Sequence, residues 1–161
     1  MGSKTSVTLN DLLRVLDLLD NTGIVYWLDG GWGVDALAGR QTREHRDVDI
    51  DFDARAIDAL LQVLAQSGYT VETDQRPCRI ELYSGTLGYI DIHPFVLLED
   101  GGAKQAKPEG GWWEFPAHYF GETVFEGRRL RCVSPAGQRA FHSGYELRAV
   151  DRHDLALLEN L

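Results

Sequence analysis

The chain has 161 residues, a length that predicts one domain with a sizeable core. Its composition is that of a globular protein, because 43% of the residues are hydrophobic and 25% are charged. The 25 acidic residues outnumber the 16 basic ones, and the resulting formal net charge of −9 argues against general binding to nucleic acid or to an anionic membrane. A small anionic substrate carried by a metal ion remains compatible with this balance.

The predicted elements alternate between helices and strands along the chain. Apolar spacing predicts helices at 8–19, 32–37, 54–66, 135–147 (with Ser134 as N-cap) and 151–158. In the first of these, Thr8 and Asp11 resemble a capping pair. Strands are predicted at 24–28, 48–52, 69–72, 79–83 and 89–96, with a hairpin of 123–125 and 128–132. The glycine-rich stretch 99–111 is predicted to be a loop. This order predicts an α+β fold in which residues 1–161 form a single domain.

Cysteine usage and hydropathy bear on the compartment. Cys78 and Cys132 lie far apart without a CxxC partner, which favours two reduced thiols over a disulfide. No apolar run approaches the roughly 20 residues of a membrane helix, and the first 19 residues lack a signal-peptide pattern. We therefore expect a cytoplasmic protein.

The most informative segment is the acidic strand at 46–53. Alternation places Val48, Ile50 and Phe52 on one face and four aspartates, at 47, 49, 51 and 53, on the other. Neighbouring carboxylates on that face stand about 7 Å apart, close enough to raise one another's pKa. A divalent cation relieves the repulsion, since Mg²⁺ takes one or two carboxylates together with phosphate oxygens. The alternative is a solvated edge strand, and Asp51 and Asp53 are the acids that we expect to be solvated.

Two further segments favour the metal interpretation. Gly30 and Gly31 separate a predicted strand from a helix, and such a turn lets phosphate approach free backbone N–H groups. A simple tight turn is the commoner use of a glycine pair, and neither a GxGxxG motif nor a Walker lysine is present. On a later strand, Asp91 and His93 share one face. Asp91 is thus either a third carboxylate of the site or an ordinary exposed strand residue.

Together, the glycine pair, the Asp-x-Asp strand and the later single aspartate resemble the nucleotidyltransferase superfamily typified by DNA polymerase β. The runs WLDGGWGVD (27–35) and REHRDVDIDF (43–52) are similar to those of the small lincosamide nucleotidyltransferases, as are the segments 89–94, 107–111 and 141–145. The resemblance implies a polymerase β-like fold, with a mixed sheet flanked by helices and with helices at the C-terminal end. It also implies Mg²⁺-dependent transfer of AMP from ATP to a hydroxyl of a lincosamide such as lincomycin or clindamycin, which confers antibiotic resistance.

Two alternatives stay open for the acceptor. Aminoglycoside 2″-adenylyltransferases are more distant relatives with a similar Gly-Gly-Trp and Asp-x-Asp arrangement, so the acceptor is alternatively an aminoglycoside. An antitoxin-like minimal nucleotidyltransferase that acts on a partner protein is the other alternative.

The resemblance also implies roles for individual carboxylates. Asp47 and Asp49 would hold Mg²⁺ together with the ATP phosphates. Asp91 matches the third carboxylate, which either completes a second metal site or takes the proton of the attacking hydroxyl. Two ions are expected, because a pair of cations stabilises both the attacking and the leaving oxygen.

The remaining predicted nucleotide contacts lie between the glycine turn and the acidic strand. The resemblance implies that Gly30, Gly31 and the helix start at Trp32 line the triphosphate. The guanidinium of Arg46 matches phosphate oxygens and is a candidate contact, although pairing with nearby acids is an equal alternative.

For the acceptor, we predict contacts from aromatic residues and a histidine. Trp112 and Trp113 follow a glycine loop and are candidates for the wall of a drug-like ligand, with core packing as the alternative. His93 is a candidate substrate contact and the second choice as base after Asp91, although a structural histidine is the favoured interpretation. Because a small domain offers little wall area, a homodimer that completes the pocket is a further expectation.

Overall fold

In this computed structural model, which describes residues 3–161, a mixed β-sheet carries packed helices. The helices are α1 (Leu9–Asp20), α2 (Gly30–Ala38), α3 (Ile57–Gln66), α4 (Pro135–Phe141) and α5 (Ala149–Leu158). The strands are β1 (Tyr26–Asp29), β2 (Asp47–Asp53), β3 (Thr70–Gln75), β4 (Arg79–Ser84), β5 (Gly88–Leu97), β6 (Ala103–Ala106), β7 (Trp112–Phe115), β8 (Phe120–Phe125) and β9 (Arg128–Val133). Short 3₁₀ turns cover Ala54–Ala56 and Ala117–Tyr119. The predicted α+β class is confirmed.

The sheet runs in the order β3-β4-β5-β2-β1-β9-β8, and β6 and β7 extend from β5. Strand β2 pairs in parallel with β5 and antiparallel with β1. In this register, Asp49 lies opposite Asp29 on one side and opposite Asp91 on the other. Three strands therefore contribute one acid each to a single row across the sheet.

The apolar face of β2 fixes this arrangement. Val48, Ile50 and Phe52 are fully buried, as the alternation predicted. They belong to a core that includes the leucines of α1 and α3, namely Leu12, Leu16, Leu19, Leu60 and Leu64. Burying each of these apolar side chains stabilises the fold by about 1.5–3 kcal/mol relative to leaving it exposed. A shift of β2 by one residue against its neighbours would turn Val48, Ile50 and Phe52 to the opposite face of the sheet. The register of the acids is thus held by the burial behind them.

Helix ends follow the local chemistry of the chain. Thr8 and Asp11 form the predicted capping box of α1, each side chain accepting from the other's backbone N–H. Helix α2 begins at Gly30, two residues before the predicted start, because the Asp29 carboxylate accepts from the Gly30 N–H at 2.7 Å. The glycine pair therefore forms the first turn of α2 itself.

Two predicted elements were wrong. The helix predicted to run to residue 147 ends at Phe141. Gly144, three residues later, has a φ of +85°, which is incompatible with a continuing right-handed helix. The predicted loop at 99–111 contains β6, which pairs with β5 and β7. The sequence of β6 does not alternate between apolar and polar residues, because Lys104 and Gln105 lie side by side at its centre. The strand is defined by its pairing with a strand on each side, which the local sequence does not indicate.

Both cysteines are buried and free, which confirms the prediction of reduced thiols. Among the residues that the structure describes, no helix combines the length and the apolar character needed to cross a membrane.

Candidate active site

A cluster of two carboxylates and an imidazole lies on the acidic face where β2 meets β5. Asp49, Asp91 and His93 each offer one ligand atom, and these atoms all lie within 4.8 Å of one another. His93 Nε2 is 3.4 Å from Asp49 Oδ1 and 3.8 Å from Asp91 Oδ2. Oxygen and nitrogen donors at this spacing are a set that a divalent cation accepts.

The electrostatics of the cluster show the repulsion expected from the sequence. Burial and the charges of Asp49 and Asp91 raise the pKa of Asp47 to about 7. Burial is also the largest influence on the pKa of Asp91 and raises it. His93 and Arg79 act in the opposite direction, because they favour the charged carboxylate, but they do not outweigh burial and the charge of Asp49. A divalent cation would remove this cost, so the residues present fit a magnesium site.

The glycine pair makes room for the cluster. Gly30 has a φ of +62°, in the left-handed region that favours glycine. A Cβ at this position would overlap the Asp49 carboxyl group and lie 2.8 Å from its Cγ. A Cβ on Gly31 would lie 2.6 Å from His45 Nδ1 and would also meet the guanidinium of Arg43. The pair is thus required by the close approach of site side chains, beyond its use as a turn.

A polar cavity of about 770 Å³ opens over the cluster. Its volume lies within the usual range for small-molecule sites. Its lining joins the sheet acids and the glycine turn to the C-terminal helices, and it includes Asp29, Gly30, Gly31, Arg43, Arg46, Asp47, Asp49, Glu81, Asp91, His93, His142, Arg148, Asp151 and Asp154. Backbone N–H groups at the start of α2 and several guanidinium groups therefore border the same space as the carboxylates.

A second cavity, of about 640 Å³, is mainly aromatic. Its lining includes Phe95, Gln105, Trp113, Phe115, Phe141 and Tyr145, together with Asp29, Asp51 and His93. Four residues line both cavities, namely Asp29, His93, Phe141 and Tyr145. Two ligands, one in each cavity, would consequently meet beside the carboxylate cluster.

The two predicted tryptophan contacts separate in the structure. Trp113 lines the aromatic cavity, whereas Trp112 does not belong to the lining of either cavity within residues 3–161. Successive strand residues face opposite sides, and Lys104 Nζ lies 4.4 Å from the centre of the Trp112 ring. Trp112 therefore lies outside the aromatic cavity, and its predicted contact with the acceptor stays a prediction.

Trp32 also differs from its prediction as a nucleotide contact. Its side chain is 1% exposed, belongs to the core and lies 4.3 Å from the His45 ring, centre to centre. Helix α2 turns this side chain inward and Trp32 lines neither cavity, so its nucleotide contact stays a prediction.

Arg46 adopts the pairing that the sequence offered as an alternative. Its Nη1 donates to Asp47 Oδ2 at 3.2 Å and to Glu81 Oε2 at 3.1 Å, and its guanidinium lies 3.9 Å from the centre of the Tyr89 ring. Because Arg46 also lines the polar cavity, its predicted phosphate contact stays a prediction.

Asp51 was expected to be solvated, and this prediction was wrong. The residue is 1% exposed and lies at the aromatic cavity, whose lining also includes residues of β6, β7 and α4. Asp53 at the strand end is only partly exposed, and it pairs with the highly exposed Arg55 at 2.8 Å.

The sequence reasoning missed several residues of the cleft. Arg79 Nε donates to both oxygens of Asp91, at 3.2 and 3.1 Å. Arg43 donates through Nε and Nη2 to Asp154 of α5, at 3.1 and 2.9 Å. Neither pairing had a local signal in the sequence, since Arg79 lies 12 positions from Asp91 and Arg43 lies 111 positions from Asp154.

Comparison with known proteins places this fold and cleft in a family. A family model described as aminoglycoside-2″-adenylyltransferase matches residues 11–158. The chain belongs to the aminoglycoside-2″-adenylyltransferase family. It is accordingly a nucleotidyltransferase, and the predicted enzyme class is confirmed.

Individual relatives of this nucleotidyltransferase include enzymes for two antibiotic classes. A lincosamide resistance protein of Staphylococcus haemolyticus is 46% identical over 156 residues, which cover 97% of each chain. The crystal structure of the lincosamide antibiotic adenylyltransferase LnuA with lincomycin bound matches at a TM-score of 0.89 and 46% identity, over 96% of this chain and 98% of that one. A 2″-aminoglycoside nucleotidyltransferase of Escherichia coli is 30% identical, over 81% of this chain and 68% of its own length. The predicted resemblance to the lincosamide nucleotidyltransferases is thus confirmed.

A further structure extends the likeness of the fold alone. ANT(2″)-Ia in complex with adenylyl-2″-tobramycin matches at a TM-score of 0.72 and 20% identity, over 95% of this chain and 89% of that one.

Proposed function

We propose that this nucleotidyltransferase transfers AMP from ATP to a hydroxyl of a lincosamide antibiotic such as lincomycin or clindamycin, and thereby confers resistance. The identity of 46% to a lincosamide resistance protein over nearly the whole of both chains carries the proposal. The aromatic cavity supports it, because a lincosamide has an apolar tail and one basic amine. We propose further that residues 1–161 act as one nucleotidyltransferase domain, since β1, β2 and α5 together line the polar cavity.

The polar cavity is the proposed nucleotide site. Asp47 and Asp49 would hold magnesium with the ATP phosphates, and Asp91 would complete the site for a second ion. When bound, magnesium neutralises the phosphate charge and stabilises the attacking and leaving oxygens. The first turn of α2, at Gly30 and Gly31, would lie against the triphosphate, with the Gly30 N–H already donated to Asp29 Oδ1.

Asp91 is the proposed proton acceptor. The acceptor hydroxyl gives its proton to an Asp91 carboxylate oxygen while its own oxygen forms a bond to the α-phosphorus, and the bond from that phosphorus to pyrophosphate breaks. Arg79 donates to both Asp91 oxygens and so orients the carboxylate. General-base catalysis of this kind typically contributes 10²–10⁴-fold.

The aromatic cavity is the proposed acceptor site. Trp113 forms part of its wall, and His93 lies where it joins the nucleotide site. An acceptor bound in this cavity would place a hydroxyl beside Asp91 and Asp49. It would not overlap with a nucleotide bound in the polar cavity.

The first experiment tests the reaction itself. The protein is incubated with ATP, Mg²⁺ and a panel of lincosamides and aminoglycosides, and products are measured by mass spectrometry. We expect the mass of one AMP to be added to a lincosamide. Absence of product from every lincosamide would overturn the proposal. Product from aminoglycosides alone would support the second candidate, which the family match and the 30% identical Escherichia coli enzyme favour.

The second experiment tests the carboxylate roles. Asp49→Asn should abolish turnover, and Asp91→Asn should lower kcat by at least 100-fold while ATP binding stays detectable. Asp74→Asn is the matched control, because Asp74 lies on the outer strand β3 and pairs only with Arg76 among the described residues. An active Asp49→Asn variant would contradict the metal assignment.

Two further proposals concern location and assembly. The use of ATP supports a cytoplasmic location. Trp112 is 47% exposed beside the open aromatic cavity, which supports a homodimer in which the partner copy covers that edge. Light scattering should then give twice the 18.0 kDa mass of one chain, and a monomer at micromolar concentration would exclude this assembly.

A further inference from the structure

Asp51 is a buried acid with no positively charged partner among residues 3–161. It is 1% exposed, and neither carboxylate oxygen accepts a hydrogen bond from a basic or backbone donor within those residues. Buried carboxylates are normally paired, because removing a charge from water without compensation is unfavourable. An acid in this position therefore suits a ligand that brings a positive charge.

The position of Asp51 points to a ligand. Its side chain lines the aromatic cavity and lies on the same strand face as Asp49, about 7 Å further along β2. Asp29 lines the same cavity and approaches Asp51 closely enough for the two carboxyl groups to share a hydrogen bond. Asp29 brings no positive charge to Asp51, and its own Oδ1 also accepts from the Gly30 N–H.

The surrounding walls suit a cation with an apolar body. Phe95, Phe115 and Trp113 line the cavity around this carboxylate, and aromatic faces attract alkylammonium groups. Across residues 3–161, the lining of this cavity contains no lysine or arginine. A bound ammonium would thus meet two carboxylates and several rings, with no competing cation from the lining.

We propose that Asp51 binds the basic amine of the acceptor and thereby determines specificity for amine-bearing acceptors. The inference rests on the proposed function. The contact between Asp51 and the amine would anchor the end of the acceptor that lies far from the reacting hydroxyl. The carboxylate accepts a charge-assisted N–H···O bond from the ammonium, while the spacing to Asp49 leaves the hydroxyl end of the same molecule beside the carboxylate cluster. Asp51 takes no part in the chemical step.

The test compares acceptors with and without the positive charge. The charged acceptor is lincomycin, and the uncharged one is the analogue in which the N-methyl group of the pyrrolidine is replaced by an acetyl group. For the wild-type protein we expect the KM of the acetylated analogue to be at least tenfold higher. Equal KM values would overturn the inference while leaving the proposed function intact, whereas absence of turnover with either compound would overturn the proposed function.

A variant then assigns the effect to Asp51. Asp51→Asn should raise the KM for lincomycin about 10- to 100-fold, with kcat and the KM for ATP changed little and with no further loss for the acetylated analogue. Asp53→Asn is the matched control, because Asp53 is the next acid on the same face and pairs with Arg55 outside the cavities. An equal loss for both acceptors would show a structural role and overturn the inference.

A third measurement covers the case in which Asp51→Asn does not fold. Asp51→Glu keeps the charge and should retain a preference for lincomycin over the acetylated analogue. Titration calorimetry with the wild-type protein gives the same comparison as dissociation constants, without any variant. Equal affinities for the two compounds would contradict the ion pair.

Discussion

Asp49 and Asp91 are directly opposed residues on the parallel strands β2 and β5. Their carboxylates emerge on one sheet face, although they lie 42 positions apart along the chain. Strand pairing thus brings together a cluster of possible metal ligands that neither strand forms alone, and the following predictions test how the surrounding residues maintain it.

The space that Gly30 leaves for Asp49 predicts a loss of activity in Gly30→Ala. The new Cβ would displace the Asp49 carboxyl group, and we expect kcat to fall at least 100-fold. Gly39→Ala is the matched control, because Gly39 also has a positive φ, +84°, but a Cβ there would meet no atom of residues 3–161 within 4 Å. Both variants should lose about 1 kcal/mol of unfolding free energy from backbone strain. Similar kcat values in the two variants would contradict a steric role for Gly30.

The opposite orientations of Trp113 and Trp112 predict different effects on acceptor binding. Trp113→Ala removes a wall of the aromatic cavity, so the KM for lincomycin should rise about tenfold. Trp112→Ala should change it much less, because Trp112 lies outside that lining and carries Lys104 over its ring. Steady-state kinetics with ATP saturating measures both. A larger effect from Trp112 than from Trp113 would place the acceptor elsewhere or show that a partner copy brings Trp112 into contact.

The buried Asp35 predicts a loss of stability in Asp35→Asn. Its Oδ2 lies 2.6 Å from His45 Nε2 and accepts from the Thr42 N–H at 2.9 Å. These contacts hold the loop that carries Arg43 behind the glycine turn. Removing one buried partner should lower the free energy of unfolding by about 3 kcal/mol at neutral pH. Urea unfolding measures the change, and Asp74→Asn should alter stability little.

The same residue predicts the direction of an acid dependence. Burial alone would raise the pKa of Asp35, but hydrogen bonds from His45 and Thr42 outweigh it and hold the pKa below its ordinary value. The stabilisation is therefore complete above about pH 4 and is lost as the pH falls through the lowered pKa. In Asp35→Asn, this contribution to the fall of the free energy of unfolding with decreasing pH should be missing. An unchanged slope would assign the acid sensitivity to other carboxylates.

His142 predicts a pH dependence of opposite sign. Burial alone would lower the pKa of His142, but the neighbouring Asp154 and Asp151 of α5 raise it above its ordinary value, although Asp154 is shared with Arg43. Protonated His142 thus stabilises the packing of α5 below about pH 6.5, and this contribution is lost as the pH rises through the raised pKa. The Tm of the wild type should fall more between pH 6 and 8 than that of His142→Gln. His118→Gln, on an exposed turn, should behave as the wild type.

Much of the fold was readable from the sequence because local chemistry defines it. Alternation in β2 predicted which residues are buried, and the capping box predicted the start of α1. Asp-x-Asp, the glycine pair and Asp91 were singled out because like charges on one face and a strand-to-helix glycine turn are local patterns. The hidden strand β6 and the early end of α4 were missed, since pairing with distant strands and a single left-handed glycine define them.

The sequence by itself determined the enzyme class and the carboxylates of the candidate site, because spacing on a strand decides which side chains share a face. Only the tertiary structure decided what covers that face. Asp51 is buried at an aromatic cavity, which Trp113 of β7 lines and Trp112 does not. The −9 net charge argues against general binding to nucleic acid, but which acid is buried beside this cavity depends on long-range strand pairing, which composition does not encode.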